Sequence, residues 1–291
     1  MAGLAAKELN IAEQMSSLRV SDGKPRVIHD FNKQIQEELD TAFRGVTTLA
    51  LDAEGVDLSR AGRISILQLA TPQACFLFDV LDKAPDDPLV AWLRKPLEDS
   101  TVIKVIHDCR MDSDALFHLL RITLTRVHDT SCWMTATTSY RGQSNLNDTL
   151  EFYGLKTNAA RDGSVYKDNH AFWATRPLTP TMVEWAAGDV RAMFELQLCQ
   201  LERATRPIVA RVEAATDDFL TYARLAQIAT VKVRPSSIGR FIGKRGANLR
   251  ALEACTKTKI YHRGNRSMGE FIVFYYGADD LVAVQAAAAS V

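Results

Sequence analysis

Three apolar runs, VTTLALD (46–52), RISILQLA (63–70) and ACFLFDV (74–80), follow one another with only short stretches containing Gly or Pro between them. They are rich in Val, Ile, Leu, Thr and Phe, residues that suit a pleated, half-buried surface. Spaced this closely, they predict a β-meander. The period then changes. In DDPLVAWLRKPLE (86–98) apolar residues at 89, 90, 93 and 97 recur at helical spacing, with Pro88 near the start. TVIKVIH (101–107) predicts a buried strand, and DSDALFHLLR (112–121) a helix with Leu116, Leu119 and Leu120 on one face. From 130 to 202 helical spacing prevails, ending in TPTMVEWAAGDVRAMFELQLCQLER, where Thr179 is set as a cap and Pro180 as the first helical residue. Within that span, residues 157–176 are polar and irregular, a loop of the kind that lies near sites. A meander passing into strand–helix alternation defines an α/β class with a mixed sheet.

Residues 203–228 read as a helical connector, and beyond them the chain changes character. Residues 229–291 carry ten Lys/Arg against four Asp/Glu, while residues 1–228 carry 25 against 31, so the zero net charge of the 291-residue chain hides a basic module on a mildly acidic body. That split points to a polyanionic partner for the C-terminal part. The sequence has no 18-residue apolar run, so a transmembrane helix and a membrane partner are not expected. MAGLAAKELNIAEQMSSLRV carries Lys7, Glu8 and Glu13 and has no continuous apolar stretch; residues 1–25 read as a frayed or weakly helical leader rather than a signal peptide. The cytoplasm is therefore the expected compartment, with the nucleus left open. Five scattered cysteines without a CxxC argue for a reducing compartment and against a disulfide framework or a zinc site.

The stretch LALDAEGVDL (49–58) ends an apolar strand by setting Asp52 and Glu54 two apart. On an extended chain both point to the same side. Like charges this close raise each other's pKa unless a cation lies between them. They are either a solvated strand end or half of a metal site. Two further carboxylates bear on the choice: Asp112, opening the helix after strand 101–107, and Asp189, inside the apolar-patterned helix, where an unpaired buried charge is costly. Four carboxylates from one strand and two helices are what a two-metal phosphodiesterase needs, with hard Mg²⁺ or Mn²⁺ ions about 3.5–4 Å apart.

LALDAEGVDL, VIKVIHDCRMDSDALFHLL and FWATRPLTPTMVEWAAGDVRAMFEL, in this order, resemble the three exonuclease motifs of the ribonuclease D-like DEDD family of 3′–5′ exonucleases, and HDCRMDS resembles most its Egalitarian and exonuclease-domain-containing branch. The resemblance covers about residues 26–202. It implies a ribonuclease H-like fold and two-metal hydrolysis, with Asp52, Glu54, Asp112 and Asp189 as catalytic metal ligands. Asp108 and Asp114 compete with Asp112; the family pattern places the acid four residues before a core leucine, here Leu116, which selects Asp112. Asp108 then reads as a loop residue and Asp114 as a first-turn charge favoured by the helix dipole. One position departs from the family. Most ribonuclease D-like members carry a tyrosine four residues before the last aspartate, where its hydroxyl holds the attacking water; here that position is Trp185, whose indole N–H only donates. A related branch uses a histidine five residues before, here Glu184. On a continuous helix Glu184 lies about 140° around from Asp189 and Trp185 about 40°, so Glu184 is expected to face solvent. The expectation is a weak or selective nuclease.

IGRFIGKRGANLRALEACTKTKI (238–260) sets Gly243, Lys244, Arg245 and Gly246 between two short amphipathic helices. Two glycines let the backbone approach a sugar–phosphate chain, and the cations between them meet phosphates. Within the order strand, helix, glycine loop, helix, strand, strand, helix, this string resembles a K homology (KH) domain of the eukaryotic type over 229–291. That resemblance implies a small α+β domain clamping about four single-stranded nucleotides, with Arg240, Lys244, Arg245 and Arg250 as phosphate contacts and Ile238, Ile242 and Ile260 as groove floor or core. His107, Trp92, Trp133 and Trp173 read as packing residues, and nothing near Cys109 would activate it as a nucleophile. The reading is a 3′–5′ exonuclease domain (26–202) acting on single-stranded RNA, with DNA left open, held by the C-terminal domain. The alternative is an RNA-binding adaptor that keeps the nuclease fold without its activity, with Trp185 stacking on a base.

Overall fold

The computed structural model describes residues 23–138, 144–165, 169–263 and 269–291; the leader expected over 1–25 lies outside them up to residue 22. The described residues divide into two compact units, one running through Ser164 and resuming over Ala171–Thr221, the other formed by Val165–His170 and Tyr222–Val291.

The first unit is built on a six-stranded mixed sheet. Its strands are β1 (Arg26–Ile28), β2 (Thr48–Val56), β3 (Arg63–Ala70), β4 (Cys75–Asp79), β5 (Ile103–Ile106) and β6 (Val127–Asp129), in the order β1-β4-β3-β2-β5-β6. β2, β3 and β4 are antiparallel neighbours, the meander that their close spacing predicts. β5 and β6 add in parallel on the other side of β2, and β1 adds in parallel beyond β4. β2 therefore lies inside the sheet, and side-chain alternation divides its residues. Leu49, Leu51 and Ala53 enter the main apolar core with Leu67, Leu69, Phe78 and Leu93, so Ala50, Asp52 and Glu54 take the opposite face. Against β2, β3, β4 and β5 packs the 22-residue helix Pro180–Leu201. It starts as its sequence predicts: the Thr179 side chain accepts from the Met182 N–H at 3.3 Å, with Pro180 at the first turn.

Helix α1 (Lys33–Ala42) lies ahead of the meander, in a stretch where the sequence reading expects no helix. Its pattern KQIQEELDTA buries only Leu39 fully, so apolar periodicity is a weak signal there. The helix is fixed by other means. Asn32 caps it, accepting from Ile35 N–H at 3.0 Å, and Asp40 accepts from the Trp92 indole N–H at 2.7 Å. The remaining helices of this unit are α2 (Pro88–Glu98), α3 (Arg110–Leu120), α4 (Thr130–Thr137), α5 (Leu146–Phe152) and α6 (Pro180–Leu201). The expected connector contains helix α7 (Arg206–Leu225), and the boundary between the units, Thr221/Tyr222, falls within it.

The second unit is a small α+β domain. β7 (Gln227–Lys232), β8 (Lys259–Arg263) and β9 (Glu270–Tyr275) form an antiparallel sheet in the order β7-β9-β8. Helices α8 (Ile238–Ile242), α9 (Ala247–Thr256) and α10 (Ala278–Ala289) complete the expected order. Val231, Ile238, Phe241, Ile260, Phe271, Val273 and Val284 form its own core, with Ile242 partly buried against them. Among the described residues, no helix is long and apolar enough to cross a membrane.

Candidate functional site

Asp52 and Glu54 on β2 and Asp189 on α6 converge. A carboxylate oxygen from each lies within 4.8 Å of the others. The register of β2 shifts between Glu54 and Gly55, a bulge of the kind that re-aims side chains beside active sites. Asp52 and Glu54 are half-buried, whereas Asp189 is fully buried. Asp112, in the first turn of α3, stands beside this group rather than in it; its Oδ1 accepts the Ala53 N–H at 3.0 Å, across the β2 backbone between the two strand acids.

The electrostatics of the cluster follow from burial and crowding. Burial pushes Asp52 up to about 7, with the Asp189 charge adding to the rise and the Arg161 guanidinium opposing it. Burial raises Glu54 well above the usual carboxylate range, helped by Asp52, Asp189 and Asp112. Burial also raises Asp112, with Asp52 as the next cause. Asp189 is raised by burial too, while Arg161, Asn158 and the Trp185 indole N–H hold it back. Such a group carries its full charge only when a cation is supplied. The donor set is carboxylate oxygen throughout, which suits a hard divalent ion such as Mg²⁺ or Mn²⁺. One further observation fits a hydrated ion. Gln68, directly opposite Asp52 in the β2–β3 register and so on the same face, is fully buried, and among the described residues neither of its carboxamide atoms has a hydrogen-bond partner.

Two residues that the sequence leaves undistinguished belong to this site. Asn158 Nδ2 donates to Asp189 Oδ1 at 2.9 Å and to the Trp185 carbonyl at 2.8 Å. Arg161 donates to Asp189 Oδ2 at 2.7 Å. Both come from the irregular segment after α5. Asn158 comes this close because residue 188 is glycine: a Cβ there would run into the Asn158 carboxamide. The polar character of 157–176 marked the loop, but nothing local marked these two positions within it.

The competing acids resolve differently. Asp108 adopts φ 60° ahead of α3 and pairs with Arg110 through two contacts of 2.6 Å. The acid of the first turn is Asp112, and Asp114 is not the first-turn charge that its position predicts. It is fully buried and held by Arg60 through its backbone N–H at 2.5 Å and its guanidinium at 2.6–2.7 Å, a partner 54 residues away that local sequence cannot reveal. Trp185 is 2% exposed and packs edge-on against Trp173, with ring centroids 5.4 Å apart. Glu184 is exposed, as the helix geometry predicts. His107 pairs through Nδ1 with the Thr130 hydroxyl at 2.8 Å and through Nε2 with the Ser144 carbonyl at 2.9 Å, which fits a packing role. Trp92, Trp133 and Trp173 are buried. Burial holds the Cys109 thiol well above its ordinary pKa.

In the second unit, α8 ends at Gly243 with φ 75° and ψ 170°, a conformation that side chains resist. A Cβ at Gly243 would also lie 2.6 Å from the Asn248 side chain and 2.8 Å from its backbone nitrogen. Asn248 in turn donates to the Arg240 carbonyl at 2.7 Å, tying the start of α9 to α8. Lys244–Gly246 forms a single 3₁₀ turn, and Gly246 has φ 76°. Arg240, Lys244 and Arg250 are exposed around this loop; the Arg245 side chain lies outside the described set.

A strand acid pair facing a helix acid in a mixed-sheet unit, on a chain that also carries a separate basic α+β unit, defines a class that comparison makes specific. The model of the 3′–5′ exonuclease family matches residues 31–201, and the chain belongs to that family. The KH-domain model matches residues 228–290. Among named relatives, the chain is similar to the piRNA biogenesis protein EXD1 of Mus musculus, 26% identical over 238 residues, covering 74% of this chain and 40% of that protein. It thus spans less than half the length of that relative. Among solved structures, ribonuclease D of Trypanosoma brucei in complex with RNA U12 is similar at a TM-score of 0.57 and 29% identity, over 73% of this chain and 74% of that one. NrnC of Brucella melitensis with bound Mg²⁺ shares the fold at a TM-score of 0.55 and 20% identity, over 70% and 93% of the two chains. Exonuclease and KH domains on one chain support a nuclease and RNA-binding role.

Proposed function

We propose that the chain is a metal-dependent 3′–5′ exonuclease of single-stranded RNA. In this reading the first unit hydrolyses the terminal phosphodiester and the KH domain holds the strand. The observation that carries it is the convergence of Asp52, Glu54 and Asp189 within 4.8 Å. These three side chains would hold two Mg²⁺ or Mn²⁺ ions, with Asp112 as the fourth acid on the Asp52 side. When bound, the ions supply activated water and charge stabilisation at the phosphate. The protein's own part is to crowd the carboxylates against β2, to hold Asp189 through Asn158, and to exclude water behind Trp173 and Trp185. Trp185 lacks the acceptor that a tyrosine hydroxyl would offer, so hydrolysis is slow. Around Gly243 and Gly246, Arg240, Lys244, Arg245 and Arg250 contact the RNA backbone. The RNA-bound state of the ribonuclease D relative supports the substrate class, and the Mg²⁺-bound state of NrnC supports the cofactor.

Trp185, a donor-only side chain where the family's tyrosine stands, favours a second reading, an adaptor that binds RNA without cutting it, although at 2% exposure and packed on Trp173 it is not presented to stack on a base as that reading expects. A time course on 5′-labelled single-stranded RNA with Mn²⁺ or Mg²⁺ separates the two. The expected result is a ladder shortening from the 3′ end, reduced at least about 10²-fold in Asp52→Ala and Asp189→Ala. Intact RNA with undiminished binding in all three proteins would establish the adaptor.

A further inference from the structure

Arg161 contributes a cation to an acidic cluster that is itself a cation site. Its Nη1 lies 2.7 Å from Asp189 Oδ2, and its guanidinium carbon is 5.8 Å from the centre of the Trp185 ring. A divalent ion drawing on Asp189 and a guanidinium bonded to the same carboxylate compete for charge over a few ångströms, where like charges repel strongly. The two partners differ in freedom. The Asp189 side chain is fully buried, while the Arg161 side chain is 32% exposed. The segment carrying Arg161 is also pinned at its base. Asn147 Oδ1 accepts the Asn158 N–H at 2.9 Å, Asn147 Nδ2 donates to the Asn158 carbonyl at 3.1 Å, and the Asn158 side chain is bonded to Asp189 and Trp185. Arg161 can therefore leave Asp189 by rotating its side chain, while Asn158 keeps the guanidinium near the cluster.

We infer that Arg161 trades partners: it neutralises Asp189 when no metal is bound, and it grips the substrate's terminal phosphate once divalent ions take the carboxylates. The phosphate is the anion that arrives with the metal-loaded state, and a guanidinium matches its oxygens in a two-pronged geometry. Arg161 is then both a competitor of the metal and a substrate-contacting residue. This rests on the metal-binding part of the nuclease reading of the same carboxylates, not on their turning substrate over.

The test measures binding, not turnover. Mn²⁺ affinity is measured by calorimetry on the full chain, followed by affinity for the mononucleotide UMP at saturating Mn²⁺, for wild type, Arg161→Gln and Arg161→Lys. Arg161→Gln is expected to bind Mn²⁺ about tenfold more tightly and UMP about tenfold more weakly, the factor carried by one charge-assisted hydrogen bond. Arg161→Lys keeps the charge, so it should bind Mn²⁺ as the wild type does and UMP with intermediate affinity. Equal Mn²⁺ affinity in wild type and Arg161→Gln, or unchanged UMP affinity, overturns the exchange while leaving the nuclease reading standing. If the wild type binds no Mn²⁺, both fall together. Intact RNA despite the expected binding changes removes the nuclease reading alone.

Discussion

In the proposed reading, the carboxylate cluster and the glycine loop are opposite solutions to handling a polyanion. The cluster draws on residues 52, 54 and 189, brings them within 4.8 Å, and holds them half-buried or buried, so that each charge disturbs the next. The glycine loop is four consecutive residues; its Lys244 and the neighbouring Arg240 and Arg250 stand exposed. In the first, burial makes charge expensive and therefore demanding of a cation. In the second, charge stays hydrated, and the backbone shape set by Gly243 and Gly246 gives the loop its form. The difference teaches that a site for chemistry is assembled by the tertiary fold, whereas a site for holding a strand can be encoded locally.

The sharpest way to test the chemical side is Trp185→Tyr. If the missing acceptor limits hydrolysis, initial rates on labelled RNA with Mn²⁺ should rise by about 10²-fold, the lower end of what one positioned acid–base group contributes. RNA affinity should not change. No gain would mean that the cluster is limited elsewhere and would favour the adaptor.

One buried ionisable group, His128, should oppose stability in acid. His128 is buried, pairs with Gln200 at 3.0 Å and stacks on Trp133, and burial holds its pKa down at about 4 against the ordinary 6.5 of an imidazole. Between those values the unfolded chain binds more protons, so stability rises with pH. The contribution is complete above pH 6.5 and is lost as pH falls towards 4. In full it amounts to roughly 3–4 kcal/mol, about 1.36 kcal/mol for each pKa unit. Asp52, Glu54, Asp112 and Asp189, held high in the folded state, add stability as pH falls over the same range, so the effect is read as a difference: in urea unfolding at pH 7 and pH 4.5, the wild type should lose about 2 kcal/mol relative to His128→Asn on acidification.

On the holding side, Gly243→Val should weaken single-stranded RNA binding by about tenfold, because a side chain at that φ stores about 1–3 kcal/mol of strain and meets Asn248. Anisotropy at fixed salt would measure it. Mn²⁺ affinity should be untouched, and a parallel loss of both would break the division between the two sites. The smallest effect is expected for Lys244→Ala: the slope of log affinity against log salt should become shallower by about 0.7, one phosphate contact on a single strand. An unchanged slope would remove Lys244 from the interface.

How much of this was legible beforehand differs by element. The meander, the strand 103–106 and the long helix with its Thr179 cap follow from periodicity and turn residues within a few positions of each other. So does the α+β order around Gly243. Helix Lys33–Ala42 did not, because one fully buried leucine makes no stripe and Trp92, the partner of its Asp40, lies 52 residues on. At the site, side-chain alternation put Asp52 and Glu54 on one face, and a buried-patterned helix made Asp189 conspicuous. Three of the four expected acids come together, and Asp112 stands beside them on the Ala53 N–H.

The sequence by itself determined which residues are acids, their spacing, their strands and helices, and the contiguous glycine loop, because each depends on near neighbours along the chain. Only the tertiary structure decided that Asp114 is locked by Arg60 and that Asn158 and Arg161 hold Asp189. Those pairings span 28 to 54 residues and depend on which side chains the packed sheet and helix leave facing each other, a geometry that no local pattern carries.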